Sequence, residues 1–165
     1  MNPEKIIHDE PKAKEKIPVI KIKTLTTDEL ENIINKGSDI TKERFKNLDD
    51  GGVFTFFYNE DVFDPRLRDR NLYTIAEENS VIVGIGKLTK RQEQENLYEI
   101  ASVSVDSKYQ NRGYAKKILE EIFRTAKQNG WTLVASRYTK IGNEKLKRLN
   151  QDLAEKYGVR LFEEE

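Results

Sequence analysis

The stretch Gln110-Asn111-Arg112-Gly113-Tyr114-Ala115 combines the residue types that an anion site needs. A glycine-containing turn that opens into a helix leaves main-chain N–H groups without partners at the positive end of the helix dipole. Phosphate oxygens are natural acceptors for such groups. Arg112, Lys116 and Lys117 could pair with further phosphates, although a solvated helix face accounts for Lys117 equally well. A glycine before a helix also occurs for capping alone, so the flanking elements and their spacing must carry the rest.

Two elements would position this loop. Upstream, Leu97 to Val105 predicts a strand ending in the β-branched run Ser102-Val103-Ser104-Val105, with Asp106 and Ser107 marking a turn. Downstream, Ala115, Ile118, Leu119, Ile122, Phe123 and Ala126 recur at helical spacing, while Lys116, Lys117, Glu120, Glu121, Arg124 and Lys127 take the opposite face. Gly130 closes that helix as a C′ residue. Trp131 to Tyr138 then predicts a second strand, so the unit is a parallel βαβ pair. Its loop lies at the strand ends where open α/β sheets bind ligands.

Val103-Ser104-Val105, with Gln110-Asn111-Arg112-Gly113-Tyr114-Ala115 starting five positions after Val105, resembles motif A of the GNAT superfamily of N-acetyltransferases, V-x-V followed by Q-x-x-G-x-[GA]. The resemblance is concentrated in Glu99 to Gly130 and is weaker around Asn143. It implies an α/β fold: a mixed, mostly antiparallel sheet of about six strands with a central parallel βαβ pair and about four helices. It implies acetyl-CoA as co-substrate, no metal, and direct acetyl transfer to a primary amine without a covalent enzyme intermediate. The cofactor-binding set it implies is Val103, Ser104 and Val105 on the strand edge, which would pair with the pantetheine arm. Gln110, Asn111, Arg112, Gly113, Tyr114, Ala115 and Lys116 would surround the pyrophosphate, and Asn143 would complete the set.

Amide formation from a thioester and an amine needs a coenzyme site, donors at the developing oxyanion and a neutral amine. A primary ammonium with a pKa of about 10 must first lose a proton, for which a nearby carboxylate is suited. Glu99 is the candidate. It lies six residues before Val105 and by simple alternation would share a strand face with Ala101, Val103 and Val105. In histone-type members of the superfamily a glutamate at this offset is the general base, and the resemblance implies that role here. A solvated glutamate beside a charged hairpin is the alternative. Glu77, Glu78 and Glu95, at strand ends or in turns, are less suited. An N–H near Val103 to Val105 would polarise the thioester carbonyl.

Two departures from the family pattern stand out. N-x-x-A-x-x-L-Y is matched by Asn143, Leu146 and Leu149, but Asn150 replaces the tyrosine that often protonates the departing thiolate. Water, Tyr138 or Tyr157 would have to substitute. The family's final hairpin is also shortened to about one strand, Val159 to Phe162, so one wall of the acceptor site is either missing or supplied by another subunit, as in a homodimer. Two readings from other classes follow: a CoA-binding module with weak or lost catalysis, and an adaptor subunit that docks a partner through Val53 to Phe63.

The composition restricts the alternatives. At 165 residues the chain is one domain by size, with 29 basic and 29 acidic residues, so no bulk field argues for nucleic acid or membrane. Lys140, Lys145, Lys147 and Arg148 are interrupted by Glu144 and lack stacking aromatics, which argues against nucleic acid. With no cysteine there is no disulfide scaffold, thiolate zinc site or cysteine nucleophile. No apolar run approaches the about 20 residues of a membrane span, and a cytoplasmic location is expected.

Residues 1–16, charged and holding the lone His8, are expected to form a disordered tail preceding a single domain over residues 17–165. Ile17 to Leu25 predicts a half-exposed strand, Thr26-x-x-Glu29 a capping box before a helix closed by Gly37, and Thr41 the start of a short second helix with Phe45 and Leu48. The rings at Phe54, Phe56, Phe57, Tyr58 and Phe63 are either core or lining for an acceptor pocket. Leu72 to Glu77, Val81 to Thr89 and Leu97 to Val105 predict three antiparallel strands. Gly84 and Gly86 mark close packing against a helix or a bulge. Asn143 begins the last helix and Gly158 ends it. The acceptor is expected to be a small-molecule or peptide amine.

Overall fold

Alternating apolar and charged residues form the first strand, β1 (Ile20–Thr26), and its last residue caps the helix that follows, α1 (Thr27–Lys36). The Thr26 hydroxyl accepts from the Glu29 amide at 3.3 Å, and the Glu29 carboxylate accepts from the Thr26 amide at 2.8 Å. These two bonds make the expected capping box, satisfying donors that the helix start would otherwise leave open. The computed structural model describes residues 18–37, 48, 68–92, 94–135 and 143–163. The N-terminal tail, most of the predicted second helix, the aromatic segment Val53 to Phe63 and Tyr138 lie outside the described residues. Leu48 is described, and is helical and buried.

The remaining elements are β2 (Asn71–Glu78), β3 (Val81–Lys90), β4 (Leu97–Val105), α2 (Tyr114–Asn129), β5 (Thr132–Ala135), α3 (Asn143–Tyr157) and β6 (Leu161–Glu163). The six strands lie in the sheet in sequence order. β1 to β4 pair antiparallel, whereas β4, β5 and β6 run parallel. The expected mixed sheet with its βαβ unit is therefore present. Among the described residues there are three α-helices rather than about four; the segment expected to form the short second helix lies, apart from Leu48, outside them. A two-residue turn with Asn79 and Ser80 at φ 51° and 68° joins β2 to β3, the twist that a tight hairpin favours. No helix among the described residues is long and apolar enough to cross a membrane.

Each sheet face has its own core. Ile118, Leu119, Ile122, Phe123 and Ala126 of α2 pack with Ala76, Leu88, Ile100, Leu133 and, from α3, Leu153. On the other face Leu30 of α1 and Leu48 pack with Tyr73, Ile75, Ile82 and Ile85. Gly84 and Gly86 are where α2 comes closest. A Cβ on Gly86 would stand 2.7 Å from Ile118 Cγ2, and one on Gly84 2.9 Å from Ile118 Cδ1. Close packing, the first of the two expected explanations, is what places these glycines.

One irregularity changes the site. The β3–β4 register passes from Lys87 opposite Ser102 to Leu88 opposite Ile100, leaving Ala101 as an extra residue. Such a bulge resets the alternation of side chains. Glu99, opposite Thr89, consequently shares its face with Ser102, Ser104, Lys87 and Ile85, while Val103 and Val105 turn toward α2. The expectation that Glu99 shares a face with Ala101, Val103 and Val105 is thus corrected: unbroken period-two alternation does not survive an inserted residue.

Candidate active site

The loop between β4 and α2 is shaped by two left-handed residues, Asn111 at φ 62° and Gly113 at φ 82°. Gly113 is the N-cap of α2, and no side chain caps the helix. Among the described residues no protein group accepts from the main-chain N–H of Asn111, Arg112, Gly113, Tyr114, Ala115 or Lys116. The space in front of Gly113 is open, with no heavy atom within 4 Å of where a Cβ would stand. Unpartnered N–H groups facing open space at a helix start can bind an anion, so the residues present fit a diphosphate.

The side chains of this loop are arranged less simply than its sequence predicts. Gln110 donates through Nε2 to the Val105 carbonyl at 3.2 Å, tying the loop to the end of β4. Arg112 lies over the Tyr109 ring, 5.1 Å from its centroid, and its Nη1 is 3.8 Å from Glu78 Oε2. Tyr114 is buried and donates its hydroxyl to the same Glu78 oxygen at 2.5 Å. Burial, and then the bond to Glu78, pushes the Tyr114 phenol up to about 12. Lys116 and Lys117 are exposed on the first turn of α2.

β4 changes character along its length. Leu97 to Ile100 pairs with Thr132 to Ala135, the described part of β5. Past the bulge at Ala101, Ser102 to Val105 pairs with β3. Val103 and Val105 pack side chains against the α2 core, and the Ser104 hydroxyl donates to the Leu48 carbonyl at 2.9 Å. These three candidates therefore use their side chains for packing and can offer a ligand only main chain. Asn143 is the first residue of α3.

Glu99 is separated from this loop by the bulge and lies on the opposite face. Its Oε2 is 2.8 Å from Arg91 Nε, and both side chains are largely buried, at 22% and 27% exposure. Lys87, on the same face, is shifted down from the ordinary lysine value by burial, an effect that the nearby Glu99 charge opposes. The Ser102 hydroxyl across from Lys87 is buried without a hydrogen-bond partner among the described residues. Asn150, which stands where the family pattern has tyrosine, is buried in α3, and Tyr157 is partly buried in that helix's last turn.

Lys87 and Arg91 were not singled out from the sequence, and Glu78 was weighed only as a less suited base. Their placement follows from strand register, which puts Lys87 and Arg91 to either side of Glu99's partner Thr89 and Glu78 at the end of β2 beneath α2. The alternation of Lys87, Thr89 and Arg91 was a usable signal. The register that aligns it with Glu99 was not.

A family model described as the acetyltransferase (GNAT) family matches residues 38–151, more than half of the chain. No curated protein sequence matches. Among solved structures, the ribosomal-protein-S18-alanine N-acetyltransferase from Escherichia coli superposes with a TM-score of 0.56 at 16% identity, covering 82% of this chain and 76% of that one. The aminoglycoside acetyltransferase HMB0005 from an uncultured soil metagenomic sample gives 0.57 at 19% identity, covering 82% and 90%. The aminoglycoside N-acetyltransferase AAC(6')-Iy in complex with CoA gives 0.54 at 16% identity, covering 93% and 95%. At these identities the structures speak for the fold, and the family match speaks for the chemistry. With the glycine loop at the head of α2 and the family model matching over 38–151, this chain belongs to the acetyltransferase (GNAT) family and is an acyltransferase.

Proposed function

We propose that this chain transfers an acetyl group from acetyl-CoA directly to a primary amine. The observation that carries the reading is the run of N–H groups from Asn111 to Lys116 without protein acceptors among the described residues, facing open space at the start of α2. Acetyl-CoA, when bound, supplies the acetyl thioester. The loop amides, aided by Arg112 and Lys116, would hold the diphosphate, and Gln110 would keep the loop on the end of β4. Main-chain groups of Val103, Ser104 and Val105 would align the pantetheine arm, and one N–H of that stretch would stabilise the developing oxyanion. Asn143 belongs to the coenzyme set through the family pattern.

Glu99 would take the proton from the acceptor's ammonium, directly or through a water, and Arg91 would fix its carboxylate. Because Glu99 and the α2 loop lie on opposite sides of the sheet, the amine would have to reach the thioester from the face opposite the diphosphate. The acceptor would be a small-molecule or peptide amine; structural neighbours named for aminoglycosides and for a ribosomal-protein alanine mark the breadth of the panel to try.

A second reading, a coenzyme-binding module with little catalysis, is favoured by one observation. Asn150 is a buried amide where the family pattern places a tyrosine hydroxyl, so no phenol there can protonate the leaving thiolate. Thiol release from acetyl-CoA across a panel of aminoglycosides, polyamines, amino acids and peptides separates the two. The enzyme reading expects amine-dependent release with at least one class. Tight coenzyme binding with release no faster than hydrolysis across the panel would select the module.

A further inference from the structure

The carboxylate beneath the coenzyme loop has no place in the scheme above. Glu78 ends β2, paired to Ile20 on one side and Val81 on the other, so its main chain is held by two ladders. Its side chain is 13% exposed and sits under the start of α2, where Tyr114 donates to Oε2 at 2.5 Å. The same oxygen is 3.8 Å from Arg112 Nη1. Arg112 is 55% exposed, and its guanidinium is laid over Tyr109, which itself meets Tyr114 edge-on at 6.3 Å. Among the described residues, then, the one arginine of the loop is docked on a carboxylate and a ring, beside the N–H groups that await an anion.

We propose that Glu78 is an affinity-setting residue for the coenzyme: it competes with the diphosphate for Arg112 and so speeds release of the spent CoA. The inference rests on the reading of the α2 loop as the coenzyme site. Arg112 has one guanidinium, and turning it fully toward a phosphate draws it away from Glu78. The carboxylate cannot follow, because the Tyr114 hydroxyl and the β2 ladders hold it in place. Loosening the Glu78–Arg112 pair is a cost that diphosphate binding must meet, and that cost is largest at low ionic strength, where the pair is least screened. The whole chain carries no net charge, so salt dependence of binding would report local charges rather than a global field.

Titration calorimetry of CoA into the full chain at low and high salt tests this. Glu78→Gln keeps an oxygen to accept from Tyr114 while removing the charge. It should tighten CoA binding by about three- to tenfold at low salt, with the gain fading as salt rises. In an Arg112→Gln background the same change should give no gain, because there is no longer an arginine to release. Glu77→Gln alters net charge identically one residue away. Glu77 lies on the opposite face and is ion-paired to Lys23 at 3.0 Å, so this variant should leave CoA affinity unchanged. Unchanged or weaker binding in Glu78→Gln, with an unaltered melting temperature, would overturn the proposal. So would a gain that persists without Arg112, or one that Glu77→Gln reproduces. Failure of wild type and Glu78→Gln alike to bind CoA would instead remove the coenzyme site itself, and this inference with it.

Discussion

The two halves of β4 are nine consecutive residues of one strand put to opposite uses. Leu97 to Ile100 is laddered on both edges, to β3 and to β5, and carries Glu99 on the face away from α2. Ser102 to Val105 keeps its β3 partner and turns Val103 and Val105 into the α2 core. One inserted residue, Ala101, separates them. A strand laddered on both edges is rigid enough to hold a side chain at a set point. The bulge thus lets one strand carry a fixed carboxylate on one side of the sheet and the valines that seat α2 on the other.

That contrast can be broken at several points. The greatest effect should come from the coenzyme end: Gly113→Glu places a side chain and a negative charge in the open space at a left-handed position. It should weaken CoA binding by on the order of a hundredfold or more, and an unaltered dissociation constant would count against the loop. At the paired half, Glu99→Gln should lower amine-dependent thiol release by about a hundredfold at neutral pH while CoA still binds, so an unchanged rate would exclude Glu99 as base. The two variants together ask whether the halves separate binding from proton transfer.

Smaller effects sharpen the contrast through its supports. Gly86 lies opposite Val103, and Gly86→Ala would force Ile118 of α2 away from β3. A loss of about 1–3 kcal/mol in urea unfolding is expected, and equal stability would show that α2 is free to shift. The last concerns pH. Tyr114 is held up to about 12 by burial and by Glu78, so the stability it confers is complete below the unfolded value of about 10 and is lost as pH climbs through about 12. Urea midpoints should fall over that window less steeply in Tyr114→Phe than in wild type, with Tyr73, also raised to about 12 by burial, accounting for the remaining slope. Parallel slopes would show that the phenol titrates as though exposed.

Local pattern was enough for a good deal of this molecule. The 3.6-residue recurrence of Ile118, Leu119, Ile122, Phe123 and Ala126 located α2, and Gly130, left-handed at φ 67°, ended it where expected. Thr26 and Glu29 marked the start of α1, because a cap is a contact between residues a few positions apart, and Asn143 is the first residue of α3 as expected. β4 was placed from Leu97 to Val105 for a similar reason. The glycine spacing that pointed to an anion loop is equally a matter of adjacent residues.

What lay beyond the sequence depends on contacts between distant positions. The bulge at Ala101 is a property of how β4 pairs with β3, and nothing in Leu97 to Val105 alone announces it. It moved Glu99 to the other face and set it beside Lys87 and Arg91. Glu78 looks from its neighbours like an ordinary residue at a turn, yet it supports Tyr114 and engages Arg112, 34 and more positions away, because β2 ends under α2. The chain itself specified which segments are helix or strand and which loop could hold phosphate, since those follow from neighbours along the backbone. Folding alone decided which charged groups meet, because register and close packing are properties of strands and helices brought together.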